Sequence, residues 1–268
     1  MIMIAKQLSY RLCAGFIMIC EVIFLPRFFA AACNIAKGVV ILSGADKEHI
    51  KVLRLKIGDR ITVCDGSGRD HHCLLTKIKN DTAEAEITAS EPSPAEPSVK
   101  CTVLAGMSKG ERSDYTVQKC TEAGAAEIIF FSSARSVSRI NEKNTAGKTA
   151  RWQRIAEEAA KQSGRGMIPK VSCVFEFADT LNIAVSSDLS LFLYETGERI
   201  PLKKALCDAR PFSSAAVMTG PEGGFERFEA DLAAAAGLIL CSLGPRILRC
   251  ETAPVVALSA LMFHTDNL

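Results

Sequence analysis

No two of the eleven cysteines in this 268-residue chain form a Cys-x-x-Cys pair. A zinc cluster needs grouped ligands, and disulfide frameworks belong to much shorter secreted chains. The scatter excludes both and leaves reduced cysteines packed as small hydrophobes. Charge of either sign is also in short supply as an excess: the net charge is only +2. That excludes a uniformly basic nucleic-acid coat, though not a local basic face. There is a single Trp and no internal repeat. The apolar run at residues 12–25 is too short, and too interrupted by Glu21, to span a bilayer comfortably. What remains is 48% hydrophobic and 23% charged residues, an ordinary soluble composition. The length suits one or two domains with real cores.

Lys6 and Arg11 ahead of that apolar run resemble the first two regions of a secretory signal. No small-x-small site stands before Pro26, and Ala30-Ala31-Ala32 lies downstream. The preferred reading takes residues 1–24 as an apolar extension produced by a mis-assigned start.

Residues 37–42, 60–64, 72–78 and 83–89 read as short strands. Turn signals at Ser43-Gly44, Asp65-Gly66-Ser67-Gly68 and Asn80-Asp81 separate them. A short helical turn is expected at 49–55. Evenly spaced short strands suggest a small barrel. Three prolines between Glu91 and Pro97 then read as a semi-rigid linker.

Beyond the linker the rhythm changes. Strands are expected at 99–105, 126–131, 171–175, 189–194, 215–219 and 238–242, with helices at 113–123, 149–163 and 252–264. Gly124 suits a helix C′ position, and Thr252 and Pro254 suit a helix start. Such alternation predicts a largely parallel sheet covered by helices.

Two glycine-rich loops follow the last two strands: Gly220-Pro221-Glu222-Gly223-Gly224, and Leu243-Gly244-Pro245-Arg246-Ile247-Leu248-Arg249-Cys250-Glu251. Ligands of open α/β sheets bind outside the carboxyl ends of strands, and glycine lets backbone approach them closely. Two arginines and a glutamate in the second loop add a site for a polyanion. His71-His72 has no matching cluster and is expected at the surface, so no metal site is predicted. Trp152 lies on an amphipathic helix and is expected to pack. Arg139, Lys143 and Lys148 flank a stretch that reads as a surface loop.

Several motifs, in order, resemble the RsmE family of knotted (SPOUT-class) RNA methyltransferases. They are Leu25-Pro26-Arg27-Phe28-Phe29, residues 49–59, Gln118-Lys119-Cys120-Thr121-Glu122-Ala123-Gly124, Arg151-Trp152, residues 158–165 and both glycine-rich loops. Departures are Ala123 for leucine, Cys250 for the usual threonine, and Pro254. The resemblance implies a PUA-like RNA-binding barrel over 25–91, a linker at 92–97, and a trefoil-knotted α/β methyltransferase domain over 98–268. It also implies a cytoplasmic homodimer that uses S-adenosylmethionine to methylate N3 of one uridine in 16S ribosomal RNA of the small subunit. Neither metal nor membrane is expected to take part. The rival expectations are a non-catalytic ribosome-assembly factor and a knotted methyltransferase acting on another RNA.

Under this resemblance the candidate donor-binding residues are Leu193, Tyr194, Glu195, Gly220, Glu222, Gly223, Gly224, Leu240, Leu243, Gly244 and Leu248. N3 of uridine must lose a proton, so Glu251 or Glu222 is expected as a general base. Arg246 and Arg249 are expected to stabilise charge on the uracil oxygens or to hold a phosphate. Arg27, Arg54, Lys119, Arg135, Arg165 and Arg246 are the candidate RNA contacts.

Overall fold

The computed structural model describes residues 8–13, 16–21, 25–30, 34–136 and 142–268. Two compact units emerge, the first ending at Pro92 and the second comprising Ser93–Leu268 with the Gly66–Gly68 turn. Within the N-terminal segment, β1 (Leu8–Cys13) and β2 (Phe16–Glu21) pair antiparallel.

The first unit is built on a six-stranded sheet. Its strands are β3 (Arg27–Phe29), β4 (Ile35–Ala36), β5 (Val39–Ser43), β6 (Arg60–Cys64), β7 (Arg69–Ile78) and β8 (Thr82–Pro92), in the order β3-β6-β7-β8-β5-β4. All pairings are antiparallel except β3 with β6. Phe28 of the edge strand shares one core with Val40 and Leu42 near the opposite edge and with Ile50 of α1 (Ala45–Val52). A sheet whose two edges contribute to one core must curl, which is the barrel character expected from the strand spacing. β8 runs through Pro92, expected as the first linker residue, because Pro92 at a strand end need not donate to the ladder.

The second unit holds a seven-stranded, all-parallel sheet. Its strands are β9 (Lys100–Gly106), β10 (Glu127–Phe131), β11 (Lys170–Val174), β12 (Leu189–Leu193), β13 (Ile200–Pro201), β14 (Ser214–Thr219) and β15 (Ile239–Ser242). The order is β11-β10-β9-β14-β12-β15-β13. All five residues of β12 are buried, as both-sided coverage of a parallel sheet requires. Alternate residues feed two cores. Val103, Leu191 and Val217 pack with α2 (Arg112–Glu122), α3 (Glu142–Ser163), α5 (Leu202–Asp208) and α7 (Thr252–His264). Leu104, Phe192 and Met218 point the other way, toward α4 (Phe177–Val185) and α6 (Arg227–Ala235).

β15 lies between β12 and β13, so the connection from Tyr194 to Arg199 bridges its end. This is where the trefoil crossing of the knotted sheet, a rare exception among folds, falls: the chain leaves β15 beside that bridge on its way to α7.

Several expectations need correction. α3 starts at Glu142, so Lys143 and Lys148 are helical rather than on a loop, while Arg139 lies outside the described residues. Thr252 is the first residue of α7 and Glu251 occupies the N-cap, with no side-chain cap bond. Residues 93–97 are no free spacer: Glu96 receives the Arg165 guanidinium (2.7 Å) and the backbone N–H of Gly166 and Met167. Gly124 has φ +97°, as its C′ position demands.

Candidate active site

The carboxyl ends of β14, β12 and β15 stand side by side, and the loops that leave them enclose a cavity of about 560 Å³. The β14 loop contributes Gly220, Pro221, Glu222 and Gly224, and the β12 end contributes Leu193, Tyr194 and Glu195. Leu243, Gly244, Arg246, Leu248, Arg249 and Glu251 come from the β15 loop. Thus all three proposed catalytic residues line one cavity with nine of the eleven expected donor-binding positions, Glu222 among them. The other two lie outside the lining. Gly223 packs on Arg135, which donates to its carbonyl at 3.1 Å. Leu240 packs within the core beneath.

Close backbone approach explains the glycines. A Cβ on Gly106, at the end of β9, would overlap the backbone nitrogen of Pro221. Gly224 has φ +66°, and a Cβ there would collide with the Glu195 carboxylate. Phe225 anchors the same loop, its ring centroid 4.2 Å from that of Phe192. Glu226 and Glu229 form a capping box at the start of α6, and Arg135 pairs with Glu226 at 2.8 Å. The loop is therefore braced from both ends.

Arg112, the first residue of α2, was not anticipated. Its Nη1 donates to Glu222 Oε1 at 2.7 Å, and its Nε stands 4.0 Å from Glu251 Oε2. The backbone N–H of Lys109 donates to the same Glu222 oxygen at 2.8 Å. Partial burial works against ionisation of Glu222, but these donors and the Arg112 charge outweigh it and hold the carboxyl below its ordinary range. Cys250 Sγ donates to Glu251 Oε2 at 3.2 Å. Burial first, then the neighbouring Glu251 and Glu222, push the thiol up to about 12, so it stays protonated as a donor. A thiol thus supplies the hydrogen bond that a hydroxyl would supply there. Arg199, on the β12–β13 bridge, also lines the cavity. The available sequence signal was positional: both arginines follow strand ends on the side where the ligand loops gather.

The expected RNA contacts divide. Arg27 makes a two-pronged pair with Asp70, both bonds at 2.7 Å. Arg165 is buried against Glu96 and the Thr121 and Ala125 carbonyls. Lys119 pairs with Glu122 at 2.8 Å, whereas Arg54, Arg246 and Arg249 are exposed. His71, expected at the surface, is buried with Nδ1 2.7 Å from Ser90 Oγ, and His72 is 2.9 Å from Glu91. Trp152 packs on Phe130 and donates to Asp114 at 3.0 Å. Among the described residues no His, Cys, Asp and Glu cluster could hold a metal. No described helix is long and apolar enough to cross a membrane.

A parallel sheet with a threaded ligand loop, preceded by a curled antiparallel unit, defines a class: residues 95–262 match the RNA methyltransferase domain family and residues 42–88 the RNA methyltransferase PUA domain family. The chain belongs to the ribosomal RNA small subunit methyltransferase E (RsmE) family. It is 34% identical to the Bacillus subtilis (strain 168) ribosomal RNA small subunit methyltransferase E, over 85% of this chain and 91% of that one. The Synechocystis protein of the same name is 32% identical, over 88% and 76%. A crystal structure of the Neisseria gonorrhoeae protein bound to S-adenosyl methionine superposes with a TM-score of 0.78 at 33% identity, covering 89% and 97%.

Proposed function

We propose that this enzyme transfers a methyl group from S-adenosylmethionine to N3 of a uridine in 16S ribosomal RNA of the small subunit. One observation carries the reading: the cavity gathers a glycine-built cradle, three carboxylates and several arginines at adjacent strand ends. The cavity suits the donor. Leu193, Leu243 and Leu248 offer apolar walls for a purine, and the glycine loops offer backbone groups. Thr219 Oγ1, also in the lining residues, is buried without a partner among the described residues.

The donor's sulfonium supplies an electrophilic methyl group, so the protein's task is in-line placement and removal of one proton. Glu222 is committed to Arg112 and to the backbone, and its depressed pKa makes it a poor base. Glu251 has the weaker engagement, with one thiol donor and a cation 4.0 Å away, and takes the N3 proton. Arg246 and Arg249, exposed at the cavity, face the developing uracil charge or the flanking phosphates. Arg54 on the first unit adds a phosphate contact, while Arg27 and Arg165 serve RNA binding indirectly by holding their loops.

Two copies act together. α7 is apolar on both sides: Ala257, Leu258 and Leu261 face the core, yet Val256 and Phe263, seven residues apart, are exposed. A helix apolar all round calls for cover on its second face.

The test uses small subunits from cells lacking this enzyme, labelled donor and nucleoside mass spectrometry. Recovery of 3-methyluridine is expected, and label in another nucleoside or none would reject the assignment. Glu251→Gln should slow transfer ~100-fold or more, with donor affinity kept. Equal loss of both would make Glu251 structural.

A further inference from the structure

The two glycine-rich loops do not touch the rest of the sheet through their own strands alone. A third strand end, that of β9, reaches both through Arg112. Three observations single this residue out. First, its guanidinium spans carboxylates on different loops, Glu222 at 2.7 Å and Glu251 at 4.0 Å. Second, it stands at the first position of α2, where the helix dipole disfavours a cation and favours an acid. A cation kept there answers to partners outside its own helix. Third, the loop between β9 and α2 is itself fastened to the cavity. Lys109 N–H donates to Glu222 at 2.8 Å, and Ser108 Oγ lies 3.1 Å from Ser113 Oγ. Gly106 admits Pro221 at the same strand end.

We propose that Arg112 is a positioning residue for methyl transfer, clamping Glu222 so that the β14 loop and the Cys250-Glu251 segment are held in register across the cavity. The proposal rests on the reading of Glu251 as base. Glu222 is then the anchor and Glu251 the working carboxylate, with Arg112 reaching both and Cys250 donating to the same Glu251 oxygen that Arg112 faces. The clamp is directional: Nη1 serves the anchor, leaving Nε toward the base. Lysine can restore the charge but not both contacts, because a single ammonium lacks the planar fork.

The experiment compares wild type, Arg112→Gln and Arg112→Lys at several pH values, following 3-methyluridine formation on small subunits. Donor binding by calorimetry, melting temperature and 13C titration of the Glu222 carboxyl accompany it. Arg112→Gln should lower kcat 10- to 100-fold with a donor Kd changed less than threefold. The Glu222 titration should move up toward an ordinary carboxylate. Arg112→Lys should recover part of kcat. A kcat loss that merely follows the melting temperature, with the Glu222 titration unmoved, would overturn the clamp. So would an Arg112→Gln enzyme with unchanged kcat. If wild type itself transfers no label, the uridine reading fails; the Glu222 titration and the loop melting still read the clamp, and an unmoved titration there rejects it independently.

Discussion

At Gly106 a single missing carbon decides how two loops meet. Alanine there would drive its Cβ into the Pro221 backbone, which cannot swing aside as a side-chain tip would. Gly106→Ala should cost about 1–3 kcal/mol of stability through overpacking and weaken donor binding, read by thermal melts with and without ligand. The same scale shows what side-chain identity could and could not reveal. The place of Glu251, Arg246 and Arg249 at the cavity was legible because they sit inside a glycine-punctuated loop after an apolar strand. Arg112 was not, since an arginine at the start of a helix looks like solvated surface until its carboxylate partners, 110 and 139 positions away, are brought to it. His71 failed for the opposite reason: a histidine beside a turn looks like surface until β6 and β8 pair on either side of it and Ser90 and Asp65 meet its ring. Arg27 and Arg165 have the residue type of RNA contacts but carboxylate partners within the protein.

Among elements, the start of β12 is fastened to the start of β14 by one side chain. Asp188 Oδ2 accepts from Ser213 N (2.9 Å), Ser213 Oγ (3.0 Å) and Ser214 N (3.0 Å). The Ser213 backbone bond leads, and together these bonds lower the Asp188 pKa to about 2. A lowered folded-state value means the contribution is fully present above the unfolded value of about 3.9 and is lost as pH falls through the folded one. Asp188→Asn should therefore lower the urea midpoint at neutral pH, and the gap from wild type should close between about pH 4 and 2. A gap independent of pH would deny the carboxylate this role. The elements most legible in sequence were those with the least choice. β6 and α7 are largely apolar and begin and end where expected. α4 and α5 were unread, being nine and seven residues long with too few turns to show a period. The first turns of α3 carry Asn144 and Gly147, poor helix formers that local propensity assigns to a loop. The long-range order of the sheet was beyond any local pattern, because it joins strands far apart in the chain.

For the whole molecule, the exposed face of α7 is the clearest prediction. Phe263 is 75% exposed and Ile247, beside the cavity, 87%. Light scattering should report a dimer, and Phe263→Asp should shift it toward monomer while far-UV dichroism stays unchanged. A wild-type monomer at micromolar concentration would refute the pairing. The threading of β15 beneath the Tyr194–Arg199 bridge has a consequence in time as well as space. The segment that must pass the bridge is also the last wall of the cavity, residues 243–251. During synthesis every strand but one can be in place while the pocket still lacks a side. On the proposed reading, capacity to hold the donor should arrive in one late event, and a chain stopped short of that passage should be an inert bystander rather than a weak enzyme.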